Sequence, residues 1–258
     1  MKKLLSLVLV MAILSLSVMS FASCSSKGKI VVATSPDFPP FEYLEGKKVV
    51  GIEVEIMRKI CEKLGKKVVF KQIDFDSILV GVASGKFDCG MSGITVTDAR
   101  KENTLFTDPY CLAAQAIVVK AGSPITCKAD LTGKKIAVQT ATTAEDFCLE
   151  NGYDILAFQA NPDAELALVN GNVDAWVIDD LTAAEMVKEY NEGKADADKL
   201  VILSEAMTTE PYAFAFAFGN EELVAEINKI QKEMLEDGTI AAIFAKYEAP
   251  YTAPTTAQ

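Results

Sequence analysis

The chain has 258 residues, 50% of them apolar and 24% charged, which is enough length and hydrophobicity for one large domain or two small ones. Its formal charge of -11, from 25 basic and 36 acidic residues, argues against a nucleic-acid partner, because phosphate binding depends on clustered Lys and Arg. Histidine is absent, so the commonest general base and the commonest metal ligand are both missing; neither a metal nor a cofactor is expected.

Residues 1–23 read as an export signal: Lys2 and Lys3, an apolar run over 4–19, then small residues up to Cys24. A membrane span wants about 20 consecutive apolar residues, and this run is shorter and interrupted by serines, so cleavage is favoured over retention. Phe21-Ala22-Ser23-Cys24 resembles a bacterial lipobox, which makes Cys24 the expected lipidation site and tethers the exported protein to a membrane. The remaining cysteines, Cys61, Cys89, Cys111, Cys127 and Cys148, show no CxxC or CxH spacing. Cys61 and Cys89 sit in apolar patterns as small core residues, and whether Cys127 pairs with Cys148 is left open.

From Lys29 onward short apolar runs alternate with amphipathic segments, the pattern of an α/β fold with mainly parallel strands. KIVVATS is a first strand. Ile56, Met57, Ile60, Cys61 and Leu64 fall at helical spacing with Glu55, Lys59, Glu62 and Lys63 opposite, which predicts a helix over 53–64 closed by Gly65. KKVVFKQI is the next strand, Asp76 is expected to cap a short helix ending at Gly85, and FDCGMSGI is read as a strand. A second unit of the same kind starts near Gln115, with strands QAIVVKAG, KKIAVQT and VDAWVID and a capping box at Thr142 to Glu145. PYAFAFAFG alternates as a strand. Leu223, Val224, Ile227, Ile230, Met234 and Leu235 stripe a long helix, and a shorter one follows Gly238.

In GITVTDAR, residues 93–100, a strand end runs through Thr95 and Thr97 into a helical turn that carries Arg100. A guanidinium beside exposed amides suits a carboxylate, and the ends of parallel strands are where open α/β sheets bind ligands. The alternative is a surface arginine paired with Asp98 or Glu102.

SPDFPPFEY, VVGIEVEIMRKICEKLG, FDCGMSGITVTDARKENTLFTDPY, DLTGKKIAVQTATTAEDF, NGNVDAWVIDD and EDGTIAAIFAKY, in this order, resemble the extracytoplasmic amino-acid-binding proteins of ABC importers. The resemblance implies a periplasmic-binding-protein-like α/β fold in which two lobes joined by two hinge strands close over one free amino acid. Lobe one would comprise 28–110 and 213–248, lobe two 115–207, the hinge 111–114 and 208–212, with a disordered tail over 249–258. Arg100 would grip the α-carboxylate with the amides of Thr95 and Thr143. Asp179 would take the ammonium with the Thr95 hydroxyl and the Gly93 carbonyl, beside Ser92, although an aspartate there could also cap the following helix. Phe38 and Phe75 would sandwich the side chain. At positions where relatives often carry Asp, Lys or His, this chain has Ser35, Gln139 and Ile178, so the distal pocket is expected to be uncharged unless Asp37 turns inward. A glutamine-like ligand follows, with a small aliphatic one close behind. The implied role is a monomeric receptor that hands its ligand to an ABC permease and performs no chemistry. The competing role is a cyclohexadienyl-dehydratase-like enzyme, which would need a raised-pKa acid in the cleft.

Overall fold

The computed structural model describes residues 28–205 and 207–254, so the export segment and Cys24 lie outside the described residues. Two five-stranded sheets form two lobes. In the first, β1 (Lys29–Thr34) pairs in parallel with β5 (Lys67–Gln72) and β6 (Cys89–Gly90). Two short strands, β15 (Ala215–Phe216) and β7 (Leu105–Phe106), extend it antiparallel. In the second, β10 (Lys135–Gln139) lies parallel to β11 (Asp154–Phe158) and β12 (Ala175–Asp179). There β9 (Gln115–Lys120) runs antiparallel between β12 and β13 (Leu200–Ile202). Both sheets are therefore mixed, not mainly parallel, because the chain enters and leaves the second lobe through one ribbon. That ribbon pairs β8 (Cys111–Ala113) antiparallel with β14 (Glu210–Tyr212).

A small sheet of β2 (Asp37–Phe38), β3 (Glu42–Glu45) and β4 (Lys48–Val50) leads into α1 (Ile52–Lys63). Ile52, Ile56, Met57 and Ile60 are fully buried, each stabilising the lobe by roughly 1.5–3 kcal/mol. No side chain caps α1. Instead the carbonyls of Pro40 and Phe41 accept from the amides of Ile52 and Glu53 at 2.9 and 3.1 Å. That close approach requires Gly51, whose φ is 130° and where a Cβ would lie 2.2 Å from the Phe41 carbonyl oxygen.

The segment read as a strand FDCGMSGI pairs only at Cys89–Gly90. Beyond Met91 the Ser92 hydroxyl, not a ladder partner, accepts from the Ser35 amide at 3.2 Å, and Gly93 turns left-handed at φ 54°. The short helix expected after Asp76 is a 3-10 turn, Phe75–Ser77, followed by α2 (Ile78–Ala83). PYAFAFAFG is one extended segment that changes partners: Tyr212 pairs with β8, the Ala213 amide bonds Ile94, and Ala215 joins the first sheet.

Later helices include α3 (Asp98–Lys101), α4 (Thr143–Glu150), α5 (Asn161–Val169), α6 (Asp180–Asn191), α7 (Glu221–Glu236) and α8 (Thr239–Lys246). The C-terminal tail departs from the expected disorder as far as Pro254. The Tyr251 ring lies 4.8 Å from that of Phe244, its hydroxyl donates to the Tyr110 carbonyl at 3.1 Å, and the Leu112 amide donates to Thr252. Residues 255–258 lie outside the described residues. Cys61, Cys89, Cys111, Cys127 and Cys148 are all free thiols.

Candidate functional site

Between the two sheets lies a cavity of about 420 Å³, lined from the first lobe by Phe38, Phe75, Ser92, Gly93, Thr95 and Arg100 and from the second by Gln139, Thr143 and Asp179. Nine of the ten side chains or backbones expected at a ligand site are brought together here. Ser35 is not: it is buried behind the wall, and its hydroxyl donates to Asp37 at 3.0 Å.

Arg100 sits on α3, whose first amides are held by Thr97, the hydroxyl of which accepts from the Arg100 amide at 3.2 Å. Its guanidinium points into the cavity, not to Asp98 or Glu102. Nη1 donates to the Thr95 carbonyl at 2.9 Å, and Nη2 reaches the Ala141 carbonyl in the other lobe at 3.0 Å. The Phe75 ring lies 5.7 Å away, within cation-π range. Burial pulls the arginine's pKa down, while Asp146, Glu210 and Asp179 oppose that shift.

Thr143 is the first residue of α4. Thr142 caps this helix by accepting from the Glu145 amide at 3.3 Å, while the Glu145 carboxylate turns back to the Ala141 amide, one residue earlier than a capping box would place it. The helix dipole therefore points its positive end into the cavity close to Arg100. Ala141 is held left-handed, φ 63°, a conformation that glycine takes without steric cost.

Asp179 ends β12 at 7% exposure and takes hydrogen bonds from the Tyr212 hydroxyl and from Gln115. Burial first, and the nearby Glu210 second, push its carboxyl well above the usual range. It precedes α6 without capping it through its side chain; Asp180 instead accepts from the Leu181 amide at 2.8 Å. Gln115 and Tyr212 hold Asp179 in place, and neither is legible as a site residue because each reads as an ordinary strand position.

Gly93 is confined twice over: φ is positive, and a Cβ would meet the Phe38 ring at 2.6 Å. Its neighbour Thr95 is buried and bridges to Tyr212 on β14.

The far wall differs from the uncharged one expected. Asp37 turns inward, and its carboxylate accepts from Gln139 Nε2 at 3.2 Å and from the Asn161 amide at the start of α5 at 2.8 Å. Asn161 in turn donates to Gln139 Oε1 at 3.0 Å. All of Asp37's hydrogen-bonded partners are neutral, and burial raises its pKa. Nothing local in the sequence marks Asn161, whose partners Asp37 and Gln139 lie 124 and 22 residues away.

Residues 30–250 match the model of the bacterial extracellular solute-binding proteins, family 3. The L-cystine-binding protein TcyJ of Escherichia coli K12 is 29% identical over 255 residues, covering 95% of this chain and 94% of its own. An ancestral arginine-binding protein is 39% identical in its glutamine-bound structure, which covers 86% of this chain and 99% of its own with a TM-score of 0.80. Its arginine-bound structure is equally identical, with a TM-score of 0.79 over 85% of this chain and 98% of its own. The ancestral amino acid-binding protein AncCDT-1, a precursor of cyclohexadienyl dehydratase, is 32% identical over 86% of this chain and 96% of its own, with a TM-score of 0.78.

Proposed function

The chain belongs to the bacterial extracellular solute-binding proteins of family 3, and from that membership we propose that it captures a free L-amino acid between its lobes and delivers it to an ABC permease. The observation that carries this reading is a cavity with one guanidinium, Arg100, supplied by the first lobe and one buried carboxyl, Asp179, by the second. A zwitterion satisfies both at once, and only with the lobes closed. Arg100 and the amides of Thr95 and Thr143 receive the carboxylate at the positive end of α4. Asp179, the Thr95 hydroxyl and the Gly93 carbonyl receive the ammonium, whose positive charge offsets the burial that disfavours an ionised Asp179. Phe38 and Phe75 flank the side chain.

At the far end, the zwitterion's two charges balance Arg100 and Asp179 and leave Asp37 as an uncompensated anion. A buried carboxylate served only by neutral donors favours a ligand that brings a cation or, failing that, an amide. We therefore place an arginine-like side chain first and a glutamine-like one second, against the order expected from Ser35, Gln139 and Ile178 alone. Cross-lobe bonds from Asn161 and Gln139 to Asp37 support closure. The ribbon of β8 and β14 serves as the hinge. Cys24 carries the lipid that tethers the receptor, a monomer, beside its permease.

A thermal-shift screen with the common amino acids tests this, since a ligand that binds only the folded form raises the melting temperature. Arginine should give the largest shift; a response to none of them removes the proposal. A dehydratase needs an acid at a leaving hydroxyl, and Asp179, with its raised carboxyl, supplies the one observation for it. An ammonium beside that aspartate keeps it ionised, which places the enzyme second. Turnover of prephenate or arogenate to an aromatic product would reverse the ranking.

A further inference from the structure

Directly behind the Ser92–Gly93 wall of the cavity, two glutamates are fully buried as neighbours: Glu42 on β3, bonded to Ser92, and Glu53 in the first turn of α1, bonded to Gly93. Two adjacent carboxyls buried this deeply repel strongly unless one holds a proton, and the surrounding donors show where it sits. Glu53 accepts from the Tyr110 hydroxyl through Oε1 at 2.6 Å and from the Gly93 amide through Oε2 at 3.1 Å. Glu42 accepts through Oε1 from the Ser92 hydroxyl at 2.8 Å, while its Oε2 is buried with no donor directed at it. An Oε2–H on Glu42 accounts for that atom by donating to Glu53, which then holds the single negative charge under three donors.

We propose that Glu42 and Glu53 share one proton in the native protein, and that this pair is a positioning device that fixes the Ser92–Gly93 edge against which the amino acid's ammonium is held. The inference rests on the ligand placement given above. Glu53 holds the Gly93 amide and so fixes the backbone of a residue that lines the cavity. Ser92, donating to Glu42, accepts from the amide of Ser35, the residue that also orients Asp37. One buried acid pair thus reaches the ammonium site through Gly93 and the side-chain site through Ser35. The pair's remaining negative charge also lies behind the place where the ammonium binds. Burial favours retention of the proton, pushing Glu42 well above the usual carboxylate range, with the charge of Glu53 next and that of Asp37 adding to it. The other titratable groups that face the pair, Tyr110, Cys89 and Cys111, have their own pKa values raised by burial, with Glu53's charge adding to each shift, so they stay neutral beside it.

The test compares Glu42→Gln with Glu53→Gln. The Glu42→Gln side chain reproduces the protonated acid, an amide N–H donating to Glu53 and a carbonyl accepting from Ser92, so this variant should fold and bind arginine within about threefold of the wild type by calorimetry. The Glu53→Gln side chain presents donors to the donors Tyr110 and Gly93, so that variant should lose about tenfold or more in affinity. Failure of Glu53→Gln to fold beside a normally folded Glu42→Gln is the same asymmetry and supports the pair. Two readouts on ligand-free protein look for the proton itself. The wild-type infrared spectrum at neutral pH should carry a protonated-carboxyl carbonyl band that Glu42→Gln lacks. The wild-type melting temperature should also fall more steeply than that of Glu42→Gln as pH rises from about 5 to 9, because the folded protein holds a proton that the unfolded chain releases. Identical bands and parallel melting profiles, or equal losses of affinity in the two variants, overturn the proposal. Failure of every amino acid to bind would instead remove the ligand reading, and the two ligand-free readouts would still decide the shared proton.

Discussion

Asp37→Asn separates a cationic ligand from a neutral one. Asp37 Oδ1 faces the Ser35 hydroxyl and Oδ2 faces both Gln139 and the Asn161 amide. An asparagine placing its oxygen toward Asn161 leaves its amide against Ser35, whose hydroxyl can rotate to accept, so closure should weaken by only about 1 kcal/mol. A guanidinium facing this residue would lose a charge-assisted partner, worth about 1.5–3 kcal/mol, which is roughly 10- to 150-fold in affinity. The carboxamide of glutamine would keep a neutral acceptor and lose about fivefold at most. Calorimetry of arginine and glutamine against wild type and variant measures the difference directly. In the wild type, arginine affinity should also fall on acidification, as Asp37's raised pKa brings its protonation closer to neutral pH, and the glutamine affinity should fall less. Equal losses for the two ligands, or an unchanged arginine affinity, would refute Asp37 as the side-chain partner.

Arg100→Ala should weaken binding of any amino acid by about 2–5 kcal/mol, with the ligand-free melting temperature close to that of the wild type, as read by calorimetry and thermal shift. Ala141→Gly relieves a left-handed alanine; about 1–2 kcal/mol of strain is offset by about 0.5–1 kcal/mol of added unfolded-state freedom, so denaturant titration should show a gain of roughly 0.5–1 kcal/mol. Glu165, beside Asp37 in an outer groove, is pushed up to about 7 by burial and by Glu189. A raised carboxyl costs stability as pH climbs through its folded value, so Glu165→Gln should raise the melting temperature relative to the wild type at pH about 8 and not at pH about 5.

Local chemistry made much of the site readable. The helical spacing of Ile56, Met57 and Ile60, the Thr142 cap and the lone arginine after a strand end are all written within a few residues of one another. What the sequence hid depends on distant partners. The orientation of Asp37 is set by an amide 124 residues away, and Asn161 acquires its place only when the lobes meet. Glu42 and Glu53 read as ordinary polar positions, one in PPFEY and one in the first turn of a helix. They become a buried pair because Gly51 draws the helix start against Phe41. FDCGMSGI and PYAFAFAFG alternate as strands do, yet Gly93 and a change of partners at Ala213 cut each into shorter pieces. Periodicity reports which side faces inward, not which strand lies alongside.

Titrating the preferred amino acid alongside its α-carboxamide and its deaminated analogue tests the two-ended clamp most directly, because each analogue removes one charge and keeps the side chain. Arg100 and Asp179 acting as proposed predict that each change costs about 2 kcal/mol or more, at least thirtyfold in Kd. An analogue lacking either charge that binds as tightly as the parent would contradict the clamp.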